Sequence, residues 1–195
     1  WGGFAEQASD EGRDVTGVTI SRKQHSYAEC RLDGRADIQL RDYRDLNETY
    51  DNIVSIEMIE AVGERYWPSY FGTLKRNLAD GGRVLLQAIT VPDDFFETYR
   101  KSSDYIRQHV FPGGMLLSDK VIETQAASAG LTVRDNFAFG QDYAKTCRMW
   151  ADRLNDQKQR IAELGYGESF FRNWQYYLEI CAASFAVGHT NVVQV

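Results

Sequence analysis

Short apolar runs rich in β-branched residues alternate with amphipathic segments along the first half of this chain. Strands are predicted at residues 15–20, 36–40, 52–56 and 83–89, and helices at residues 21–32 and 66–78. The runs at 15–20 and 83–89 contain few polar residues, which is typical of strands that are buried on both faces of a sheet. Strand and helix in alternation therefore predict an α/β fold in which crossover helices cover a parallel sheet.

The second half of the chain interrupts this alternation and then resumes it. Residues 92–114 are charged and aromatic, and an insert of this kind over a sheet edge is predicted to form a helical lid. The later elements are a helix at 118–129, a strand at 131–139, long amphipathic helices at 143–164 and 170–185, and a β run at 191–195. The sequence contains no internal repeat and no linker, so one domain is predicted over residues 1–195.

The composition excludes several classes of protein. The 28 Asp and Glu residues outnumber the 22 Lys and Arg residues, giving a net charge of −6, so the chain lacks the positive charge with which nucleic-acid-binding proteins neutralise phosphates. No apolar run approaches the roughly 20 residues that span a bilayer. The three Cys residues have no Cys-x-x-Cys spacing and the three His residues are scattered. Neither a disulfide scaffold nor a metal site is therefore predicted.

Seven stretches, in order along the chain, carry a resemblance to one enzyme family. They are WGG at residues 1–3, VTGVTIS at 15–21, DYRDL at 42–46, IVSIEMIEAVG at 53–63, FPGG at 111–114, YAKT at 143–146 and YLEIC at 177–181. With them the whole chain resembles the cyclopropane-fatty-acyl-phospholipid synthase family of S-adenosylmethionine-dependent methyltransferases, which includes the mycolic acid cyclopropane synthases. The resemblance implies a Rossmann-like methyltransferase sheet with a helical insert and C-terminal helices that form the acyl pocket. Because the family's glycine motif begins upstream of Trp1, we expect an N-terminally truncated domain with its first strand missing.

The reaction that this resemblance implies transfers the methyl group of S-adenosylmethionine to a double bond of an unsaturated fatty acyl chain of a phospholipid. Methylation of an alkene leaves a carbocation that water would quench, so the reaction needs a dry site, aromatic rings that stabilise positive charge, and a base. Ring closure gives a cyclopropane, whereas a hydride shift gives a methylene or methyl branch. In the family the base is thought to be a bicarbonate ion held by an acid, a histidine and a tyrosine, and the resemblance implies bicarbonate here as well.

Four catalytic residues are assigned by their position in the family pattern. The acid is Glu60, the tyrosine is Tyr143 and the cysteine at the active-site position is Cys181. The position of the histidine is occupied by Gln87, whose amide can donate hydrogen bonds to an anion but carries no charge and cannot relay a proton. Without the family pattern, Glu60 would fit an ordinary charged loop, and Cys181 and Tyr143 would fit the apolar faces of helices.

The resemblance also assigns residues to the binding of S-adenosylmethionine. These are Gly2, Gly3, Thr19, Ile20, Ser21, Gln24, Asp42 and Tyr43. The two glycines let the backbone approach the cofactor closely, and the pair at 42–43 is placed to meet the adenine. Related folds often hold the ribose hydroxyls with an acid at the end of the second strand, but this chain has neutral residues there, of which Gln24 is the best candidate. Ser21 and Gln24 also form a capping box, which needs no ligand.

Two other interpretations remain open at this stage. A small-molecule N-methyltransferase is the second candidate, because relatives with similar sheet motifs methylate amines; a short polar cup would favour it over a long apolar tunnel. The third is an inactive fragment. As partners we expect unsaturated phospholipid acyl chains and no nucleic acid, with a homodimer left open. The cysteine pattern favours a reducing compartment, so we expect a cytoplasmic protein peripheral to the inner membrane surface.

Overall fold

The structure is a computed structural model that describes all residues from 1 to 195, and the chain divides into two compact units, Trp1–Thr49 and Tyr50–Val195. The first unit contains α1 (Gly3–Asp10), β1 (Thr16–Thr19), α2 (Arg22–Leu32) and β2 (Asp37–Leu40). The second contains β3 (Tyr50–Ile56), α3 (Trp67–Asn77), β4 (Leu78–Thr90), α4 (Phe96–Lys101), α5 (Asp119–Ser128), β5 (Phe137–Ala138), α6 (Gly140–Asp156), α7 (Lys158–Glu163), α8 (Glu168–Ala186) and β6 (Asn191–Gln194). The predicted α/β class is confirmed.

In the first unit, β1 and β2 pair in parallel and α2 connects them. Ser21 caps α2 by accepting a hydrogen bond from the Gln24 amide over 3.3 Å. The second hydrogen bond of the predicted capping box, from the Ser21 amide to the Gln24 side chain, does not form. The Ser21 amide donates instead to Thr19 Oγ1 over 3.1 Å, and the Thr19 hydroxyl donates to Gln24 Oε1 over 2.9 Å. Residues 19, 21 and 24 are thereby joined into one polar cluster at the start of α2 by hydrogen bonds of their side chains and backbone amides.

Two expectations for the first unit require correction. Helix α1 was not predicted, although Ala5 and Glu6 are good helix formers and an acidic residue in the first turn favours a helix N-terminus. The run at 15–20 is not buried on both faces: Thr16 is exposed and Ile20 is 76% exposed. β1 has only β2 as a partner strand, so part of its apolar surface stays open, which a hydrophobic run alone does not reveal.

The sheet of the second unit has the strand order β3-β4-β6-β5 and is mixed, whereas the alternation of strands and helices predicted a parallel sheet. β3 and β4 are parallel, but β6 runs antiparallel to both β4 and β5. After α8 the chain turns at Gly188, where φ is +72°, and returns along β4. The apolar pattern of a strand does not encode its direction, and mixed sheets are common in this fold class.

Two further elements differ from the sequence prediction. The strand expected at 131–139 shortens to Phe137–Ala138, because residues 131–136 pair with no other strand and are mostly exposed. The helix expected at 143–164 is divided at Gln157 into α6 and α7. The insert at 92–114 contains α4 and a π-helical turn at Ile106–Val110.

Helices α6 and α8 pack closely and support the sheet with small residues. Ala144 and Cys147 of α6, Ala182 and Phe185 of α8, and Val192 of β6 form a buried hydrophobic cluster. Alanine at such contacts lets two helix backbones approach each other, and burial of the apolar surface stabilises the pair. The result is a fixed base for the side chains on the first turns of α6. None of the helices combines the length and the apolar character needed to cross a bilayer.

Candidate functional site

Strand β3 ends beside Gln87 of β4 and places an acidic residue next to it. Ile56 is the register partner of Gln87, and the amide of Glu57 donates to the Gln87 carbonyl over 2.9 Å. Glu57 has a φ of +49°, in the left-handed region that is unfavourable for residues with a Cβ other than Asn and Asp. Non-glycine residues held in this conformation are concentrated at functional sites.

The carboxylate of Glu57 accepts hydrogen bonds from two side chains. Gln87 Nε2 donates to Glu57 Oε1 over 2.8 Å, and the Tyr143 hydroxyl donates to the same oxygen. Gln87 Oε1 accepts a hydrogen bond from Gln194 Nε2 over 2.9 Å, which orients the amide so that its NH₂ group faces Glu57. Burial and the neighbouring Glu57 carboxylate raise the pKa of Tyr143 above its usual value, so this hydroxyl keeps its proton and remains a donor.

Glu60 lies on the short 3₁₀ turn Ile59–Ala61 that follows β3. Its Oε1 accepts a hydrogen bond from the Ile89 amide over 2.7 Å, whereas its Oε2 is buried and has no hydrogen-bond partner. Burial raises the pKa of Glu60 to about 7, and the charge of Glu57 adds to this effect while the Ile89 amide opposes it. Near neutral pH this carboxyl is therefore divided between its protonated and ionised forms, and one of its oxygens is available to a ligand.

Cys181 and Tyr177 lie one turn apart on α8 and share a side-chain hydrogen bond. Burial raises the pKa of Cys181 to about 12, and burial also raises the pKa of Tyr177. The thiolate, not the thiol, is the nucleophilic form of cysteine. Cys181 is therefore a neutral, apolar thiol. This agrees with the interpretation that it lies on the apolar face of its helix and does not act as a nucleophile.

We expect Cys181 to resist alkylation at pH 8, because raising a thiol pKa from 9.0 to about 12 reduces the thiolate fraction roughly a thousandfold. Cys30, which is exposed, serves as the internal control. Peptide mass spectrometry after brief treatment with iodoacetamide should find Cys30 modified and Cys181 intact. Equal modification of both residues would contradict the neutral assignment.

Aromatic rings line the polar residues of the second unit. Tyr143 contacts Phe185 and Phe139 edge to face, with ring centroids 5.4 and 5.8 Å apart. Tyr177 makes similar contacts with Trp174 at 5.5 Å and with Phe111 at 5.8 Å. Faces of aromatic rings attract positive charge, most strongly where water is excluded. The surroundings of Tyr143 and Tyr177 are thus suited to a cationic intermediate.

The donors that the resemblance assigns to a bicarbonate ion are already engaged. Gln87 and Tyr143 both direct their hydrogen bonds to Glu57 Oε1, so an acceptor from the chain itself takes the bonds expected for the anion. A bound bicarbonate would also add a negative charge next to Glu57 and to Glu60, and like charges in a partly buried site are unfavourable. The residues of this chain therefore do not fit bicarbonate in the arrangement that the resemblance implies.

The residues predicted to bind S-adenosylmethionine lie in the first unit, and part of this set has a suitable geometry. Gly2 has a φ of +86°, and a Cβ there would lie 3.3 Å from both Ala28 Cβ and Leu32 Cδ1. No side chain caps the N-terminus of α1 at Gly2, so backbone amides there are open to an acceptor such as a carboxylate. The neutral cluster of Thr19, Ser21 and Gln24 supplies hydroxyl and amide groups suited to ribose. These features fit the cofactor.

The positions of the other predicted cofactor residues give no specific support for cofactor binding. Gly3 begins α1, and a Cβ there would make only ordinary contacts with Arg31, so its lack of a side chain is not required. Ile20 is exposed at the end of β1. Asp42 caps the turn Tyr43–Asp45 and pairs with Arg44 over 2.7 Å, and its hydrogen bonds with Arg44 lower the pKa of its carboxyl. Asp42 thus has a structural role that the sequence did not reveal.

Sequence reasoning missed two members of the polar cluster, Glu57 and Gln194. Glu57 lies within the stretch that follows β3, where ligand contacts are expected, but the family pattern directed attention to Glu60 alone. An acidic residue immediately after an apolar strand was the available signal for Glu57. Gln194 had no such signal, because its contact with Gln87 depends on the antiparallel return of β6.

The α/β fold of this chain is that of the Rossmann-like methyltransferases, as comparison with solved structures shows. The cyclopropane synthase MmaA2 from Mycobacterium tuberculosis superposes with a TM-score of 0.90 at 26% identity. The mycolic acid cyclopropane synthase CmaA1 complexed with SAH and CTAB gives a TM-score of 0.88 at 27% identity. Each match covers 100% of this chain and 73% of the solved chain.

The chain belongs to the mycolic acid cyclopropane synthetase family, which it matches over residues 1–195. It is 37% identical over 200 residues to the tuberculostearic acid methyltransferase UfaA1 of Mycobacterium tuberculosis, and 36% identical over 197 residues to the cyclopropane-fatty-acyl-phospholipid synthase of Escherichia coli strain K12. Both matches cover 100% of this chain but 47% and 50% of the relatives. The chain thus spans about half the length of these relatives.

Proposed function

We propose that this protein transfers the methyl group of S-adenosylmethionine to a double bond of an unsaturated fatty acyl chain. The observation that carries the proposal is Glu60, a carboxyl with one buried and unpaired oxygen in a unit rich in aromatic contacts. A buried acceptor without a partner is costly, and a ligand that donates a hydrogen bond to this oxygen, or accepts one from its protonated form, would remove the cost. Membership of the family supports the same reaction.

The residues of the second unit would carry the chemistry after the methyl group has been delivered. When bound, S-adenosylmethionine supplies an electrophilic methyl group attached to a sulfonium. The rings of Tyr143 and Phe185 would stabilise the carbocation left on the acyl chain. The neutral thiol of Cys181 and the apolar cluster between α6 and α8 would keep water away from it. Glu60 would supply a polar group, its carboxyl, in this otherwise apolar environment.

The cofactor would be bound by the first unit. Amides at the start of α1 would hold its carboxylate, and the cluster of Thr19, Ser21 and Gln24 would bind the ribose hydroxyls. Ile20 would offer an apolar contact, and Tyr43 would meet the adenine. Of the residues that the resemblance assigns to the cofactor, Gly2 has the strongest geometric support, because its positive φ disfavours a side chain and a Cβ there would lie only 3.3 Å from two neighbours.

We further propose that the insert at 92–114 acts as a lid. Tyr105 donates a hydrogen bond to Asn173 of α8 and packs on the ring of Tyr176, with centroids 4.6 Å apart. Phe111 packs on Tyr177. The insert thus rests on the helix that carries Cys181, where its movement would admit an acyl chain and its closure would exclude water.

The preferred substrate in this proposal is the acyl chain of a phospholipid at the inner surface of a membrane. The product is a cyclopropane if the proton leaves the transferred methyl group, and a methylene or methyl branch if a hydride shifts before the proton is lost. A homodimer is compatible with the proposal but is not needed for it. The cytoplasmic and membrane-peripheral location expected from the sequence belongs to the same proposal.

Mass spectrometry of lipids from cells that express the protein tests the proposal. We expect acyl chains that are heavier by one CH₂ group, and the matched cells that express the Glu60→Gln variant should lack them. Loss of the double bond would identify a cyclopropane, and its retention a methylene branch or a methyl-branched alkene. Unchanged acyl chains together with newly methylated amines would instead support the N-methyltransferase interpretation.

A further inference from the structure

Glu57 is the centre of the hydrogen-bonded cluster in the second unit, although the family pattern assigns it no role. We infer that the Glu57 carboxylate is the chain's own general base, which takes the proton that the family pattern assigns to a bound anion. This inference rests on the proposed methyl transfer and deepens it. The proton of the reaction intermediate would then be removed by a side chain of the protein and not by a bound ion.

The hydrogen bonds around Glu57 favour this role. Both donors, Gln87 Nε2 and the Tyr143 hydroxyl, bond to Oε1, which leaves Oε2 without a hydrogen-bond partner. Both donors are neutral groups, so they orient the carboxyl group without placing an opposite charge beside it. The free oxygen is therefore held in a fixed direction and can accept a proton.

The position of the Gln87 amide is fixed by the chain itself. Its oxygen accepts from Gln194 Nε2, and its nitrogen donates to Glu57 Oε1 over 2.8 Å and to the Tyr143 hydroxyl oxygen over 3.4 Å. A histidine at this position could be charged and attract a free anion, but a neutral amide offers only a hydrogen bond. The neutral Gln87 amide is sufficient here because the acceptor, Glu57, belongs to the protein itself. No anion has to be captured from solution.

The backbone at Glu57 supports a functional origin of the arrangement. The φ of +49° is unfavourable for a residue that carries a Cβ, whereas glycine adopts it readily. Glutamate at this position is thus disfavoured by local conformation. Its presence is explained if the carboxylate is needed beside Gln87 and Tyr143.

Glu60 has an environment that differs from that of Glu57. Glu60 accepts one backbone amide and has a buried, unpaired oxygen, whereas Glu57 accepts two side-chain donors. Two nearby carboxyl groups in different environments commonly divide the roles of acid and base. The negative charge of Glu57 favours the protonated form of Glu60, and Glu57 remains the acceptor.

The proton transfer balances without a further reactant. The alkene forms a bond to the methyl carbon as the sulfonium carbon–sulfur bond breaks, which leaves a cation on the second alkene carbon. Glu57 Oε2 then takes a proton from the transferred methyl group, and the electrons of that carbon–hydrogen bond close the cyclopropane ring. Glu57 becomes a neutral carboxylic acid and later releases the proton to solvent. If a hydride shifts first, the positive charge moves to the neighbouring carbon. The proton then leaves a carbon bonded to that cationic carbon, and a double bond forms.

Three variants test the inference. Glu57→Gln keeps the shape of the side chain and removes the base, so turnover should fall by about a hundredfold or more and should not respond to bicarbonate. Glu57→Gly removes the carboxylate and relieves the backbone strain. Its double variant with Gln87→His opens an anion site that a cation faces, so added bicarbonate should raise its turnover at least about tenfold. Glu179→Gln, at an exposed position of α8, is the matched control.

Bicarbonate titration calorimetry provides a measurement that does not depend on activity. We expect no binding by the wild-type protein and binding by the Glu57→Gly/Gln87→His variant. The inference is overturned if the Glu57→Gln variant turns over like the wild type, or if removal of bicarbonate stops the wild-type enzyme. A wild-type protein that methylates no acyl chain under any condition would refute the proposed function itself, so the two failures are distinguishable.

Discussion

Replacement of Glu60 by Gln is expected to stop turnover and, at the same time, to make the folded protein more stable at pH 8. The amide keeps the shape of the side chain and can still accept the hydrogen bond from the Ile89 amide. It replaces the buried, unpaired oxygen that is available to a ligand with an NH₂ donor and removes the second carboxyl beside the general base, so turnover should fall by about a hundredfold or more. Affinity for S-adenosylmethionine should be unchanged, because no role in cofactor binding is assigned to Glu60.

The gain in stability follows from the pKa of Glu60, which is about 7 in the folded protein and 4.5 in the reference state. Between these values the unfolded chain releases its proton while the folded protein retains it, so the free energy of unfolding of the wild type falls as pH rises from 4.5 to 7. At about 1.4 kcal/mol per pKa unit, the loss is about 3 kcal/mol. The amide has no proton to release and avoids this loss.

Urea unfolding of the wild type and the Glu60→Gln variant at pH 4 and pH 8 measures the effect. The two proteins should have similar stabilities at pH 4, and the variant should be more stable at pH 8. Glu179→Gln controls for the removal of a carboxylate from the surface, and its difference from the wild type should be small at both values. If the Glu60→Gln variant is no more stable than the wild type at pH 8, the burial of Glu60 described above is wrong.

Replacement of Gly140 by Ala should both destabilise the protein and reduce turnover. The Gly140 amide donates to Asn191 Oδ1 over 2.8 Å at the start of α6. A Cβ on Gly140 would lie 2.5 Å from that oxygen and 3.1 Å from Asn191 Cα. Because Asn191 belongs to β6, the clash would push the first turn of α6 away from the strand. Overpacking of this kind costs about 2 kcal/mol, and the movement would separate the Tyr143 hydroxyl from Glu57.

Gly72→Ala is the matched control for this substitution. Gly72 lies inside α3, where a Cβ would have no neighbour within 4 Å. Alanine favours a helix interior by about 0.5–1 kcal/mol relative to glycine, so Gly72→Ala should stabilise the protein and leave turnover unchanged. Thermal unfolding and turnover assays of both variants distinguish the two cases. A Gly140→Ala variant with wild-type stability and turnover would show that this contact does not position Tyr143.

Periodicity predicted the elements of the fold whose packing is local. Helix α2 was expected from Ser21 onward and α3 from its apolar stripe, and both occur as the sequence indicated. The direction of β6 and the shortness of β5 were not predictable, because both depend on which strand becomes the neighbour. Pairing partners arise from the path of the whole chain and leave no trace in a local apolar pattern.

The candidate site was predictable in part for the same reason. The resemblance identified Glu60, Gln87 and Tyr143, and the structure brings Gln87 and Tyr143 together on one acceptor. It did not identify that acceptor, because the resemblance assigns no role to Glu57. The replacement of histidine by Gln87 was visible in the sequence, but its meaning required the geometry of the Glu57 carboxylate. Residues that compensate for each other are recognised only when their contacts are known.

Methyl transfer from deuterium-labelled S-adenosylmethionine to vesicles of an unsaturated phospholipid tests the central claim most directly. The purified protein should place the label on carbon atoms of the acyl chain, and mass spectrometry of the released fatty acids should find it there. Two deuterium atoms per product would identify a cyclopropane or methylene carbon, and three a methyl branch. Label found only on a headgroup nitrogen, or no label in the lipid at all, would contradict the account.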